Sequence, residues 1–387
     1  PVVAVECVIN EIAQRLGMDP IDFRLLNAVD EGDVMAIGIP FQAIGLKKAL
    51  QAAKAHPNYQ VPLQKNQGRG VAACFWINAG MQSSATINVA EDGSVNVLTG
   101  NPDIGGSRAS MALMAAEVLG VPLHTIRPAT VDTDSVGFCD VTGGSRTTLA
   151  TGGAVIKAAE ALVIELKKRA AAIWDLDVEE VDWADGKVVA TSGVGIENMN
   201  REDVAMRSGP RVLTLAELAA KAGATGGPLC AVASLNAHNA APSFAVNICD
   251  AEVDRETGKV VILRYTCVQD AGKAIHPAYV EGQMQGGAVQ GIGWALNEEY
   301  IFNEQGVMQN AGFLDYRVPV ASDLLMIDTV IVEVPNPLHP YGVRGVGEVP
   351  IGPPMPAVVT AVNRAAGVQL YDLPLTPPKL LAAMDAG

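Results

Sequence analysis

The sequence predicts an α+β protein, with mixed hairpin sheets packed against helices, and three observations carry that expectation. Alternating apolar and polar residues flank turn residues in "SATINVAEDGSVNVLTG", around Asp92-Gly93, and in "FAVNICDAEVDRETGKVVILRYTCVQD", around Arg255-Glu256-Thr257-Gly258, as antiparallel hairpins require. Helical spacing dominates other stretches, the longest being "TGGAVIKAAEALVIELKKRAAAIW". Hairpins and helices alternate without a βαβ series, which separates the chain from the α/β class.

The elements follow in order. Residues 2–16 carry apolar side chains at helical spacing, and in "GMDPIDFRLLN" Asp19 is placed to cap a second helix that Pro20 opens. Residues 29–67 are mixed and end in "HPNYQVPLQKNQGRG", which predicts a connecting segment. After the first hairpin, "SRASMALMAAEVLGVPL" predicts a helix ending near Gly120, with Pro122 beyond it. Residues 182–229 predict a Gly-rich surface excursion with short strands, and "VEGQMQGGAVQGIGWALNEEY" predicts a glycine-interrupted helix. "LMIDTVIVEVP" predicts a strand, and "PPMPAVVTAVNRAAG" a helix with prolines at its start and Gly367 past its end. No repeat recurs at a fixed period.

Composition bounds the function. Of 387 residues 49 % are hydrophobic and 18 % charged, which describes a globular chain. A net charge of −15 argues against nucleic acid, and the basic run Lys167-Lys168-Arg169 reads as the polar end of a helix. No apolar run reaches the ~18 residues of a membrane span. The start has no basic segment or small-residue cleavage site of a signal peptide. Six scattered cysteines without a C-x-x-C pair argue against a cluster or structural zinc held by this chain, and suit free thiols in a cytoplasmic, reducing compartment. The five histidines show no metal-ligand spacing, so no metal-ligating side chain is expected.

Glycine clusters carry the functional signal: "DIGGSRAS" (103–110), "TGGSRTT" (142–148), "TGGA" (151–154), "EGQMQGGAVQG" (281–291) and "GVRGVGE" (342–348). Glycine inside a helix costs about 1 kcal/mol against alanine, so such runs have a packing or ligand reason. The first two precede helices, whose free N–H groups hold anions, and Ser145, Arg146, Thr147 and Thr148 add donors at the second. No Walker loop, dinucleotide-binding G-x-G-x-x-G or G-x-S-x-G elbow is present. The residues alone point to an α+β enzyme that binds a large, phosphorylated ligand.

Four stretches go further. "DAGKAIHPAYVEGQMQGGAVQGIGWALNEEY", "FLDYRVPVASDLLMI", "GVRGVGEVPIGPPMPAVVTAVNRAAGVQLYDLPLTPPKLLAAM" and "AAEVLGVPLHTIRPATVDTD" with "TGGSRTTLATGGAV" resemble the molybdenum-binding subunit of the xanthine dehydrogenase/aldehyde oxidase family, over nearly the whole chain. The resemblance implies a molybdopterin-binding domain of the molybdenum hydroxylase type. It further implies a molybdopterin cofactor with molybdenum, as the cytosine dinucleotide in bacterial members, and insertion of a water-derived oxygen at an electron-poor carbon of an N-heterocycle, aldehyde or related small-molecule substrate.

The resemblance also assigns residues. Glu348 matches the active-site glutamate, a general base in an apolar wall beside Gly347, with Arg344 a structural neighbour. Gln283 matches the glutamine near the pterin. Gly144, Ser145, Arg146 and Thr147 match the loop that presents backbone N–H and hydroxyl groups to the cofactor. Gly105 and Gly106 match the "GQG" turn, with Gly106 where the family has a glutamine. Residues 1–66 are expected to be the tail of a first molybdopterin-binding half plus a connecting segment. Residues 67–387 are expected to form the second molybdopterin-binding domain, two intertwined α+β subdomains. The partners implied are the other half of the molybdenum subunit, met across a large apolar interface, an iron–sulfur subunit with [2Fe-2S] clusters and a flavin subunit with FAD. Two alternatives stay open: a non-catalytic scaffold of the same fold, motivated by Gly106, and a carbon monoxide dehydrogenase-type subunit.

Overall fold

The computed structural model describes residues 1–36, 38–191, 211–237 and 242–386, and part of the predicted surface excursion, 192–210, lies outside them. The chain divides into two compact units, Pro1–Asn78 with Ala240–Gly387, and Ala79–Asn239 inserted between them in sequence. The first unit opens with helices α1 (Val2–Arg15), α2 (Pro20–Leu26) and α3 (Leu46–Ala55) and strand β1 (Gln67–Trp76). Asp19 caps α2 as its position predicts, its carboxylate accepting the N–H groups of Ile21 (2.8 Å) and Asp22 (3.0 Å).

In the second unit the chain forms β2 (Met81–Val89), β3 (Val95–Thr99), α4 (Ser107–Leu119), β4 (Ile126–Thr130) and α5 (Gly152–Trp174). A small antiparallel sheet follows, of β5 (Val181–Ala184), β6 (Lys187–Ala190) and β7 (Val212–Thr214), then a short helix α6 (Leu215–Ala219) and β8 (Leu229–Ala237). The chain then completes the first unit with β9 (Ser243–Val253), β10 (Val260–Asp270), α7 (Pro277–Leu296), β11 (Asp328–Val332), α8 (Pro354–Ala366) and α9 (Pro377–Asp385). None of the described helices is long and apolar enough to cross a membrane.

Both predicted hairpins form, β2–β3 and β9–β10. The α+β class holds, with one difference. Each four-stranded sheet ends in a parallel crossover, β3–α4–β4 in one unit and β10–α7–β11 in the other. The sequence hides them because the closing strands are five-residue edge strands, one of which contains Pro128. The sheets therefore share one plan, with order β8-β2-β3-β4 and β1-β9-β10-β11: a hairpin, a crossover helix, a parallel strand, a second helix, and an extra antiparallel strand on the other edge.

The expected boundary near residue 66 does not appear. In the first unit Ile21, Ala49, Leu50 and Ala53 of α2 and α3 bury one face of the sheet against Val71, Val246, Ile248 and Val268. A buried Arg24–Glu6 pair (2.7 Å), whose carboxylate also accepts the Ala73 N–H, ties α1 and α2 to β1. The stretch 29–67, expected to be a connector, contains α3, whose Leu46, Ala49, Leu50 and Ala53 follow helical spacing in a run of small and basic residues. The other face of the sheet carries α7 and α8, through Met284, Ala288, Ile292, Val358 and Val362.

Helix α8 lies on bare backbone. A Cβ on Gly70 of β1 would fall 1.9 Å from the Ala357 carbonyl oxygen, and one on Gly68 would fall 2.1 Å from that of Ala361. These glycines let the helix that follows the Glu348 loop seat closely on the sheet. Substitution Gly70→Val is therefore expected to destabilise the chain by about 2–3 kcal/mol through overpacking. Denaturant unfolding checks this, and an unchanged midpoint would contradict the close seating.

Candidate functional site

In the first unit the candidate residues belong to the loop joining β11 to α8 and to α7. The loop is fastened by Arg344, whose buried guanidinium donates to the carbonyls of Val334 (3.0 Å), Pro242 (2.9 Å) and Ala43 and stands 3.2 Å from the Asp270 carboxylate. Asp270 in turn accepts the N–H groups of Gly272 (3.0 Å) and Val334 (3.2 Å). Burial pushes the Asp270 carboxyl above its ordinary range, and the Arg344 charge draws it back. Backbone bonds complete the fastening: Arg344 N–H to the Ala271 carbonyl (3.2 Å) and Lys273 N–H to that of Gly342 (2.9 Å). As the sequence suggests, Arg344 is structural.

Glu348 precedes a single helical turn, Val349–Ile351. Val349 and Pro350 are buried, whereas Glu348 is half-buried and Gly347 exposed, so the acid stands at the rim of the apolar wall, not inside it. Glycines bring α7 against this turn. A Cβ on Gly287 would lie 2.7 Å from Pro350, and one on Gly291 would lie 2.8 Å from Pro354. Gln283, half-buried, is one helical turn before Gly287 and shares its face. By contrast, a Cβ on Gly282 or Gly286 would meet nothing within 4 Å. The glycines of one helix thus divide into those that seat the acid's loop and those that leave backbone uncovered.

The second unit places the other candidates. Gly105 (φ 63°) and Gly106 (φ 80°) both adopt the left-handed conformation ahead of α4. A glutamine at 106 would be strained in that conformation, so Gly106 is a backbone requirement of this turn. The N-terminus of α4, predicted as an anion site, is already served by Asp103, which accepts the Arg108 N–H (2.9 Å) and pairs with its guanidinium (3.2 Å).

Gly144 (φ 68°) and Ser145 (φ 56°) form a second left-handed pair, and the Gly144 carbonyl accepts the Ala79 N–H (2.8 Å). Arg146 corrects the expectation that it adds donors to a ligand. Its side chain is fully buried and donates to the carbonyls of Gly80 (2.7 Å), Asp140 (3.0 Å) and Gln82 and to the Ser83 hydroxyl. Its donors are thus directed inward, onto backbone at the start of β2 and at Asp140. Thr147 opens a wide helical turn, Thr147–Thr151, that leads into α5, and its hydroxyl oxygen is buried with no hydrogen-bond partner among the described residues. With Asn101, Ser107, Arg108, Thr130 and Thr151 it lines a small polar cleft.

A family model described as a molybdopterin cofactor-binding domain matches residues 42–325. The chain belongs to that family. It is 33 % identical to the xanthine dehydrogenase molybdenum-binding subunit of Escherichia coli O157:H7, over 98 % of this chain and 51 % of that protein. It is 28 % identical to the aldehyde oxidoreductase molybdenum-binding subunit of Escherichia coli (strain K12), over 98 % and 50 %. The fold matches quinoline 2-oxidoreductase from Pseudomonas putida 86 with a TM-score of 0.83 at 24 % identity, covering 99 % of this chain and 52 % of that one. The chain spans about half the length of the curated relatives it matches. The matched residues of the molybdopterin cofactor-binding domain include both glycine loops of the second unit and Gln283, whereas Gly347 and Glu348 lie beyond them.

The residues fit a cofactor of this family. In the second unit Thr147 offers a buried hydroxyl with no hydrogen-bond partner among the described residues; in the first, the bare backbone at Gly282 and Gly286 leaves room for close approach. Sequence reasoning missed Asp103, Asn78, Asn101 and Gln269, polar side chains that hold these loops. Asn101 and Asp103 stand in a recognisable turn signal, "NPD", whereas Asn78 and Gln269 carry none.

His339, in the Glu348 loop, is buried, its Nδ1 accepts the Tyr341 N–H (3.1 Å), and burial pushes its pKa down from 6.5 to about 4. Between those values the unfolded chain binds more protons than the folded one. The stability present above pH 6.5 is therefore lost as pH falls toward 4, to the extent of ~3 kcal/mol. Unfolding midpoints at pH 7 and 4.5 should show this loss in the native chain and a smaller one in His339→Asn, which keeps the acceptor for Tyr341.

Proposed function

We propose that this chain is the second half of the molybdenum subunit of a molybdenum hydroxylase that oxidises an N-heterocycle, an aldehyde or a related small molecule with oxygen from water. The other half of the subunit completes it, and iron–sulfur and flavin chains with [2Fe-2S] clusters and FAD carry the electrons away. The cofactor in this reading is the molybdopterin cytosine dinucleotide, and the compartment is the cytoplasm. One observation carries the reading: in a chain of the molybdopterin cofactor-binding family, an acid stands half-exposed on a loop whose main chain is fastened by a fully buried Arg344–Asp270 pair.

When bound, the molybdenum–pterin group supplies oxygen transfer from water and takes up two electrons. The chain's residues do the rest. Glu348 would hold, at its carboxylate, the proton that the water-derived oxygen must lose, the part of a general base. Gln283 orients by hydrogen bonding, and Ser145 and Thr147 donate hydroxyls to polar atoms of the pterin. Gly105, Gly106 and Gly347 let main chain approach without a Cβ, and Gly144 shapes its loop by packing against Ala79. Arg146 holds its loop in shape from beneath.

Gly106 favours a second reading, a scaffold subunit without catalysis, because its left-handed backbone stands where the resemblance expects a glutamine. Substitution Glu348→Gln in the assembled enzyme separates the two. A general base predicts a loss of about 10²–10⁴-fold in kcat with molybdenum content unchanged. Unaltered turnover would remove Glu348 from the chemistry.

A further inference from the structure

The three residues that precede Gly347 and Glu348 are each held by a buried polar side chain. Arg344 is held by its own guanidinium. The Gly345 N–H donates to Asn78 Oδ1 at 2.7 Å, and the Val346 carbonyl accepts from Gln269 Nε2 at 3.4 Å. Asn78 lies just past the end of β1 and Gln269 is the penultimate residue of β10, and both are 0 % exposed. A backbone N–H can only donate and a carbonyl can only accept, so these contacts fix which amide atom faces the loop.

The atoms left over show what the amides are for. Asn78 Nδ2 and Gln269 Oε1 are buried without a hydrogen-bond partner among the described residues. Each such atom carries a desolvation cost, which a leucine or methionine filling the same space would avoid. Amides at these positions are therefore disfavoured as mere filling and suited to holding main chain. The second unit has a related arrangement: Asn101, also buried, donates to the Asp140 carbonyl (3.5 Å) and the Thr142 hydroxyl (3.4 Å) of the Arg146 loop and accepts from the Thr151 hydroxyl (2.6 Å).

We infer that Asn78 and Gln269 are positioning residues for Glu348. They fix the main chain at Gly345 and Val346, three and two residues upstream, and so set where the carboxylate stands. The inference rests on the reading of Glu348 as the base. The test uses the assembled enzyme with Asn78→Leu, Asn78→Asp, Gln269→Met, Glu348→Gln and the double variant Asn78→Leu/Glu348→Gln. It measures kcat, KM and hydrogen–deuterium exchange of the peptide that contains Gly345.

Asn78→Leu is expected to lower kcat by about 10–100-fold, as a displacement of reacting groups does, with KM little changed and Gly345 exchanging faster. Asn78→Asp keeps the acceptor and should restore slow exchange and most of kcat. The double variant should be no slower than Glu348→Gln alone, because positioning has nothing left to position. An assembled Asn78→Leu enzyme with native kcat would overturn the inference, as would a loss that persists in full on top of Glu348→Gln. If Asn78→Leu does not assemble, Gln269→Met carries the same expectations. If Glu348→Gln alone leaves turnover intact, the reading of Glu348 falls, while exchange at Gly345 still decides whether Asn78 holds the loop.

Discussion

Two buried guanidinium groups hold the candidate loops in shape. Arg344 and Arg146 are the largest fully buried side chains among the described residues, and each spends its donors on carbonyls of surrounding backbone. An irregular loop exposes peptide groups that no sheet or helix pairs, and every buried one left unpaired costs on the order of 1–3 kcal/mol. A guanidinium, with five donors in a fixed fork, can satisfy three such carbonyls at once. In the first unit the charge is balanced by Asp270; in the second it is shared among carbonyls and a hydroxyl. Removing one partner of the buried pair would leave the other uncompensated, which costs about 3–5 kcal/mol.

The same places in the two sheets carry these arginines. In each unit a hairpin, a crossover helix and a parallel edge strand are followed by a glycine-rich loop and a second helix, and the arginine belongs to that loop. Its reach is also the same: Arg146 donates to the carbonyl of Gly80, just before β2, and Arg344 to that of Pro242, just before β9. A buried amide assists in both cases, Asn101 in one unit, Asn78 and Gln269 in the other. Such agreement in sheet order, arginine and amide indicates one construction used twice within the chain, although no sequence period reveals it.

Local signals were legible in the sequence and non-local ones were not. The Asp19 cap, the turns at Asp92-Gly93 and Thr257-Gly258, and the glycine stops at Gly120 and Gly367 are properties of a few neighbouring residues, and all appear where the sequence places them. Helix α3 was missed although Leu46, Ala49, Leu50 and Ala53 follow helical spacing, because the mixed stretch 29–67 around it reads as a single connecting segment. The parallel crossovers escaped for a topological reason, since pairing of β3 with β4 or β10 with β11 joins residues about 30 to 60 positions apart. At the candidate site the acid and the glycines were visible. The direction of Arg146, inward and not toward a ligand, depends on carbonyls of residues 80 and 82, far from it in sequence.

These anchors explain how four glycines can surround one acid without leaving it adrift. Gly342, Gly345, Gly347 and Gly352 each add roughly 0.5–1 kcal/mol of conformational entropy cost relative to alanine, about 2–4 kcal/mol together. A Cβ could not replace the hydrogen at two of them: at Gly342 it would lie 2.7 Å from Pro335, and at Gly352 it would lie 2.5 Å from the Cys74 sulfur. Close packing therefore demands the very residues that loosen the loop, and something must offset them. The buried Arg344–Asp270 pair, the Asn78 and Gln269 amides and the glycine-faced contact of α7 with Pro350 supply that offset from three directions. They fasten the main chain on the inside while Glu348 itself stays half-buried, which is the fixed backbone that its proposed role as a general base would need.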